Sequence, residues 1–386
     1  MTLPNRNFNF PTAIKFGPGR IKELADHCKA AGIKRPLFVT DPGLAAMPMV
    51  TTILADLKAA GLAVQLFSDV RPNPVEANII AGVKAYKAGM HDGVIAFGGG
   101  SGLDIGKMIA LMHGQSISVF DLEDIGDWWT RADASRISPI IAVPTTAGTG
   151  SEVGRAGVVT HPTTHEKKII FHPAIMPKVS ILDPELTVGL PAKLTAATGM
   201  DALAHNLEAY CAPFYHPLAV GVALEGMRLV KDNLVTAVKK PKDLDARGNM
   251  LVASAMGATA FQRGLGAIHA LSHPFGGLYD AHHGMLNGII MPYVLVANRK
   301  KIEKDIERAA GYLGIKGGFN GFLKWVVALR KEIGIPNALK DIGIDTKRLD
   351  EVAAMAVKDP SAGGNPIQFT EKQYKALAKK CVTGDL

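Results

Sequence analysis

The 386-residue sequence predicts two parts: an α/β half with a parallel sheet over residues 1–187, and an all-helical half over residues 188–386. Three observations carry this reading. Short apolar runs alternate with amphipathic stretches through the first half, the rhythm of strands that cross over through helices into a parallel sheet. The segment PELTVGLPAK, which begins at Pro184 and holds two prolines, reads as a linker. Beyond it β-branched runs thin out, and Ala, Leu and Met rise. At roughly 100–200 residues per domain the length suits two domains, and it can bury a large core unaided by disulfides.

The elements follow in order. Arg35-Pro36 leads into LFVTD (37–41), a strand that ends in an acid. VTTILADLKAA (50–60) has helical spacing and stops at Gly61. LAVQLFSDV (62–70) reads as the next strand, and Pro72-Asn73-Pro74 breaks the chain before a helix over 75–89. DGVIAFGGGS (92–101) is a strand that runs into a glycine turn, with a helix from Asp104. PIIAVPTTAGTGSE (139–152) is a strand that runs into a loop of small residues. In the second half the pattern predicts helices over 195–211, 217–240, 245–262, 264–278, 300–312, 318–332, 347–357 and 371–380. No fixed-period repeat and no low-complexity tract interrupts them.

Composition narrows the function. With 47% hydrophobic and 20% charged residues the chain is ordinary globular material, without long disorder. Lys plus Arg (43) exceed Asp plus Glu (35) for a net +8, which permits an anionic ligand. The richest basic run, Arg299-Lys300-Lys301, is followed at once by Glu303, so nucleic acid is not an expected partner. Cys28, Cys211 and Cys381 are far apart and form neither a disulfide framework nor a Cys-x-x-Cys zinc site, which suits a reducing compartment. MTLPNRNFNF has no basic-then-apolar signal segment, and no apolar run reaches the ~18–20 residues of a membrane helix. A soluble, cytoplasmic protein with no membrane partner is expected.

Two loops invite a nucleotide. Gly98-Gly99-Gly100-Ser101 stands where a strand gives way to a helix, where unpaired N–H groups and the helix dipole favour phosphate. The same glycines also suit a tight strand–helix turn, and the usual GxGxxG after the first strand is absent. Thr145-Thr146-Ala147-Gly148-Thr149-Gly150-Ser151 adds hydroxyls and flexible backbone at a second strand end. Asp41, at the end of an early strand, could accept from a ribose 2′-OH and would repel a 2′-phosphate, favouring NAD over NADP. It could equally open the turn at Pro42-Gly43.

The sharpest feature is a cluster of histidines. Four of the 12 lie within 269–283: His269, His273, His282 and His283. His269 and His273 are i, i+4 on one helix face, and so are Asp201 and His205 in GMDALAH. A carboxylate with imidazoles and no thiolate suits Fe(II), Zn(II) or Mn(II). A lone histidine is more often a satisfied core or surface residue; four together with an acid point to a metal.

Taken together these motifs resemble the iron-containing (group III) alcohol dehydrogenase family. The matching segments run in order: FNFPTAIKFGPG (8–19), PNP (72–74), GGGSGLDIGK (98–107), PTTAGTGSEV (144–153), DPELTVGLP (183–191), TGMDALAHNLEAY (198–210) and GAIHALSHPFGG (266–277). The resemblance implies the dehydroquinate synthase-like fold of that family, with an α/β nucleotide domain, a helical metal domain and the active site in the cleft between them. It implies NAD and one catalytic divalent metal, Fe(II) or in some members Zn(II). By it Asp201, His205, His269 and His283 match the metal ligands, and His273 matches a non-ligand histidine near the nicotinamide. Asp41, Asn73, Gly99, Gly100, Ser101, Asp104, Thr145, Thr146, Thr149, Lys167 (with Lys168 adjacent) and Leu186 match cofactor-binding positions. A homodimer or larger homo-oligomer is expected from the same resemblance.

The chain departs from the family in two places. The residue before the last ligand is usually Pro and here is His282, which makes His282 and His283 neighbours for one role; the spacing from His269 selects His283, and His282 is left to the substrate side. Before the GxxH helix stands Phe261-Gln262-Arg263-Gly264, and Arg263 could clamp an anionic substrate tail or simply end a helix. The expected reaction is reversible hydride transfer between NAD and a primary alcohol, an ω-hydroxy acid such as 4-hydroxybutyrate by likeness to the branch that includes 4-hydroxybutyrate dehydrogenases. The alternatives are a small neutral alcohol or diol as substrate, a hydroxyacid–oxoacid transhydrogenase that keeps its NADH bound, and a non-catalytic sensor that binds NAD and metal without turnover.

Overall fold

A computed structural model describes residues 12–386; the beginning of the FNFPTAIKFGPG segment lies outside the described residues. The chain divides into two compact units. One comprises residues 12–146 and Gly150–Thr187, the other Val188–Leu386 together with the short segment Ala147–Thr149.

The first unit holds β1 (Ala13–Phe16), α1 (Leu24–Ala30), β2 (Pro36–Val39), α2 (Pro42–Ala45), α3 (Pro48–Ala59), β3 (Gln65–Phe67), α4 (Glu76–Ala88), β4 (Gly93–Gly98), α5 (Gly100–Met112), β5 (Ile140–Pro144), β6 (Ala156–Thr160), β7 (Lys167–Phe171) and β8 (Val179–Leu182). Six strands form one sheet in the order β1-β8-β5-β4-β2-β3, every pair parallel. β6 and β7 form a separate antiparallel pair. Parallel sheets are covered on both faces, and the side chains show it. Leu37, Val39, Val94, Ala96, Ile140 and Ala142 enter one apolar core. The residues between them, Phe38, Ile95, Phe97, Ile141 and Val143, enter another. This is why β2, β4 and β5 read as unbroken apolar runs rather than alternating ones.

The second unit is α6 (Ala192–Cys211), α7 (Pro217–Lys239), α8 (Leu244–Ala260), α9 (Ala267–Tyr279), α10 (His283–Tyr312), α11 (Gly318–Glu332), α12 (Leu349–Ala356) and α13 (Glu371–Thr383), with no strand among its described residues. α6 is central: it packs against α7, α8 and α10, and nearly its whole surface is buried. No helix of the described residues is long and apolar enough to cross a membrane.

Three expectations change. The strand over 62–70 is only Gln65–Phe67, because β3 is an edge strand and pairs with just Leu37–Val39 of β2. The helix expected at 300–312 begins at His283 and runs through Pro292. Pro removes an N–H and discourages helix, but Gly284–Leu295 is buried without a break, and packing overrides the local preference. β6, β7 and β8, which lie in and after a polar stretch that carries no alternating signal, were not expected at all.

Candidate metal centre

The centre is built on three helices. Asp201 and His205 lie one turn apart on α6, His269 lies in the first turn of α9, and His283 is the first residue of α10. One ligand atom from each comes within 4.8 Å of all the others. Asp201 Oδ1 stands 3.9 Å from His205 Nε2, 3.8 Å from His269 Nε2 and 3.4 Å from His283 Nε2. Donors ~2.1 Å from a common tetrahedral ion stand roughly 3.4 Å apart, so the spacing fits one small divalent cation. Asp201, His205 and His269 are buried, and His283 is partly exposed, so the cluster opens on its side.

The protons also fit. His205 Nδ1 is 3.2 Å from the Gly148 carbonyl, which can only accept, so Nδ1 carries the hydrogen and Nε2 is bare. His269 Nδ1 is 2.5 Å from Glu208 Oε2, with the same consequence for its Nε2. Asn287 Nδ2 donates to Asp201 Oδ1 at 2.6 Å and lies 3.2 and 3.1 Å from the Nε2 atoms of His269 and His283. Two bare imidazole nitrogens and a carboxylate oxygen thus converge on one electron-rich point, the donor set a divalent cation suits. Burial lowers the His205 pKa to about 4, against the pull of Asp201, and keeps the ring neutral. Burial also works against charge on His269, but the Glu208 carboxylate, with Asp201 and Asp359, outweighs it and raises that ring's basicity.

Packing explains the glycine that follows the last histidine. A Cβ on Gly284 would lie 2.3 Å from the Ala197 carbonyl oxygen and 3.2 Å from Asp201 Cβ. The first turn of α10 therefore rides directly on α6, and this close approach carries His283 to Asp201. His282 is the residue before it but does a different job: it is exposed, and its Nδ1 accepts from the Met285 N–H at 3.4 Å to cap α10. The structure brings His283, and not His282, into the cluster.

His273 stands one turn after His269 and outside the ligand set. Its ring stacks on His283 with centroids 5.4 Å apart, and its Nδ1 is 2.8 Å from Asp359 Oδ2. Burial opposes the Asp359 charge, but His273 and the Ser361 N–H hold its pKa below the usual carboxylate range. Arg263 departs from the expected clamp. Its Nε donates to the Phe214 carbonyl at 2.7 Å, and its Nη1 donates to the carbonyls of Ala209 and Tyr210. These are orphan carbonyls at and beyond the C-terminal end of α6, where a cation also meets the negative end of the dipole. The guanidinium has a structural task there, closing the end of α6.

In the sheet unit, the candidate cofactor residues gather at the C-terminal ends of neighbouring strands. Chain direction across the sheet reverses between β2 and β4, the switch point where open α/β sheets bind ligands. Asp41 follows β2, Gly99 caps α5 after β4, Gly100 and Ser101 open that helix, and Thr145 and Thr146 follow β5. Gly98 has φ +136°, a conformation that favours glycine, and Gly106 packs so close that a Cβ would lie 2.6 Å from that of Ala96. The glycines of this motif therefore serve both the turn and the seating of α5 on β4. Asp41 Oδ1 accepts from the Leu44 N–H at 3.0 Å, so it does open the turn as well. Ser101 Oγ donates to the Pro72 carbonyl at 2.5 Å, which ties the Asn73 loop to α5. Asp104 has both oxygens engaged: Oδ1 by Ser151 Oγ at 2.5 Å and Oδ2 by the Val158 N–H at 3.0 Å, with Lys107 Nζ 3.4 Å away. Its visible task is to tie α5 to the loop after β5 and to β6. Leu186 is buried in the sheet core, Lys167 opens β7, and Thr149 belongs to the segment grouped with the helical unit.

Sequence reasoning missed three residues. Glu208 stands behind His269, Asn287 beside Asp201, and Asp359 behind His273. Glu208 had a signal, since Asp201, His205 and Glu208 fall at i, i+4 and i+7 of one helix, and Asn287 is i+4 from His283. Asp359 had none.

Comparison with known proteins agrees with this geometry. The family model described as iron-containing alcohol dehydrogenase matches residues 11–184, and the Fe-containing alcohol dehydrogenase C-terminal model matches residues 195–382. The chain is 35% identical to 4-hydroxybutyrate dehydrogenase of Cupriavidus necator over 382 residues, which cover 96% of this chain and 98% of that one. A crystal structure of 1,3-propanediol oxidoreductase superposes with a TM-score of 0.92 at 35% identity, over 97% of this chain and all of that one. Sulfoacetaldehyde reductase from Bifidobacterium kashiwanohense, solved in complex with NAD+, is 28% identical with a TM-score of 0.88, over 98% of this chain and 99% of the other.

Proposed function

The chain belongs to the iron-containing alcohol dehydrogenase family, and from that premise we propose that it interconverts a primary alcohol and its aldehyde by hydride exchange with NAD. The observation that carries the reading is the convergence of Asp201, His205, His269 and His283 on one point, with the lone pairs of His205 and His269 turned inward. These four residues would hold Fe(II), or Zn(II) in its place. When bound, such an ion supplies a Lewis acid that draws electron density from the substrate oxygen. NAD, as in the reductase complex above, supplies the hydride acceptor.

The chain's own residues do the rest. The first turn of α5 offers N–H groups to a pyrophosphate, with Gly99 and Gly100 admitting it closely. Asp41 accepts from a ribose hydroxyl with the oxygen that does not cap α2. His273 holds a proton for exchange with the substrate hydroxyl, oriented by Asp359, as a general acid–base histidine needs. The free, buried thiols of Cys28, Cys211 and Cys381 suit a reducing compartment such as the cytoplasm.

For the substrate we infer an ω-hydroxy acid such as 4-hydroxybutyrate, supported by likeness to a dehydrogenase of that acid along nearly the whole chain. One observation favours a second reading, a short neutral alcohol or diol: Arg263, the cation the anionic reading leaned on, is engaged by main-chain carbonyls. NADH formation by the Fe(II)-loaded protein with 4-hydroxybutyrate, 1-butanol and 1,3-propanediol separates them. A higher kcat/KM for the hydroxy acid supports the first reading. A preference for the neutral alcohols supports the second, and no NADH from any of the three opposes both.

A further inference from the structure

This inference rests on the metal reading above and concerns a residue behind the ligands. Glu208 is buried on α6 on the same face as Asp201 and His205. Its carboxylate meets two donors from adjacent residues of α9: Oε2 is 2.5 Å from His269 Nδ1, and Oε1 accepts from the Ile268 N–H at 2.6 Å. The close approach needs Gly266, where a Cβ would lie 3.0 Å from Glu208 Oε1. We propose that Glu208 is a positioning residue for the metal, holding His269 in the tautomer and orientation that leave Nε2 free to bind the ion.

A buried carboxylate only accepts, so it places the hydrogen on Nδ1 and the lone pair on Nε2. Its second oxygen is held by Ile268, so the carboxylate cannot swing away, and the ring plane is set by the first turn of α9. His205 is fixed by a neutral carbonyl at the longer distance of 3.2 Å. His269 thus has a charged partner where His205 has a neutral one, and such a partner both orients a ligating imidazole and raises its basicity.

Glu208→Gln tests this at constant volume. The amide oxygen can still accept from Ile268, which keeps the cap on α9. The amide NH2 would then face His269 Nδ1 and favour the Nε2–H tautomer, which has no lone pair for a metal. Co(II) is titrated into the metal-free wild type and the variant, with visible ligand-field absorption as the signal and thermal unfolding of each metal-free protein measured alongside. The expected result is a Kd roughly 10–100-fold weaker in Glu208→Gln, with metal-free unfolding close to wild type. A wild-type Kd in the folded variant overturns the proposal, and so does a loss of affinity matched by a large loss of metal-free stability, which would make Glu208 scaffold. Should Glu208→Gln fail to fold, Glu208→Asp keeps the charge and shortens the reach; weaker binding by the folded Asp variant supports the role, and a wild-type Kd overturns it. Failure of the wild type to bind Co(II) would sink the metal reading itself.

Discussion

His269 and His273 sit one turn apart on α9, each backed by a buried carboxylate, yet they are expected to behave oppositely when removed. His269→Ala should leave the protein without bound metal, because one of four converging donors is gone. His273→Ala should keep its metal and lose turnover by ~10²-fold or more, the usual worth of a general acid–base group. Metal content by mass spectrometry beside kcat distinguishes them, and loss of metal in His273→Ala would reverse the ligand assignment. Part of this was legible in the residues: the i, i+4 pairs and the histidine cluster pointed to a metal, and the family resemblance narrowed the candidate ligands to Asp201, His205, His269 and His283. The direction of a long side chain was not. Arg263 lies near the cluster in sequence, but its guanidinium turns back to the carbonyls at the end of α6. Nor was Asp359 legible, since nothing local marks an acid 86 residues from its histidine.

Among elements, the junction of α6 and α10 is the most constrained. Gly284→Ala places a methyl on the Ala197 carbonyl oxygen, and with backbone on both sides the helices must part. We expect a loss of about 1–3 kcal/mol of stability, typical of overpacking, read in denaturant unfolding, together with weaker metal binding as His283 moves from Asp201. Unchanged values for both would mean that α10 is not seated as described. In the sheet unit, Glu152 is fully buried beside the Lys107 charge, and burial lifts its carboxyl pKa to about 7. Below about 4.5 both folded and unfolded forms hold the proton, and the group contributes nothing. As pH rises from there to 7 the unfolded chain releases it first, so Glu152 opposes folding, by an amount on the order of 3 kcal/mol above pH 7. Glu152→Gln should therefore be more stable than wild type at pH 8, with the advantage fading as pH falls toward 4.5; an advantage of equal size at both pH values would contradict this. The strands β2, β4 and β5 were legible because both their faces are buried. The start of α10 was not, because Pro292 and Gly284 both argue against helix locally and only burial against α6 overrules them.

At the scale of the whole molecule, the parallel sheet unit and the helical unit each bring a different chemical capacity: strand ends that lead into a glycine-opened helix in one, and converging imidazoles and a carboxylate in the other. The alternation of the first half and the loss of β-branched runs after Pro184 were enough to foresee both. The antiparallel pair β6–β7 was not foreseeable, since its two short strands flank the polar stretch after the small-residue loop and carry no alternating pattern in the sequence. Because the metal would bind the folded helical unit and not the unfolded chain, an ion held at 100-fold above its Kd should add about 2.7 kcal/mol to stability, seen as a higher unfolding midpoint that chelator removes. The proposed oxidation of a primary alcohol with NAD depends on the centre built by Asp201, His205, His269 and His283. NADH formation is followed as Fe(II) is titrated anaerobically into the metal-free protein, with Asp201→Ala beside it. Activity is expected to rise to a plateau at one iron per chain and to be absent from the variant; NADH formation that needs no metal, or that survives in Asp201→Ala, would refute that dependence.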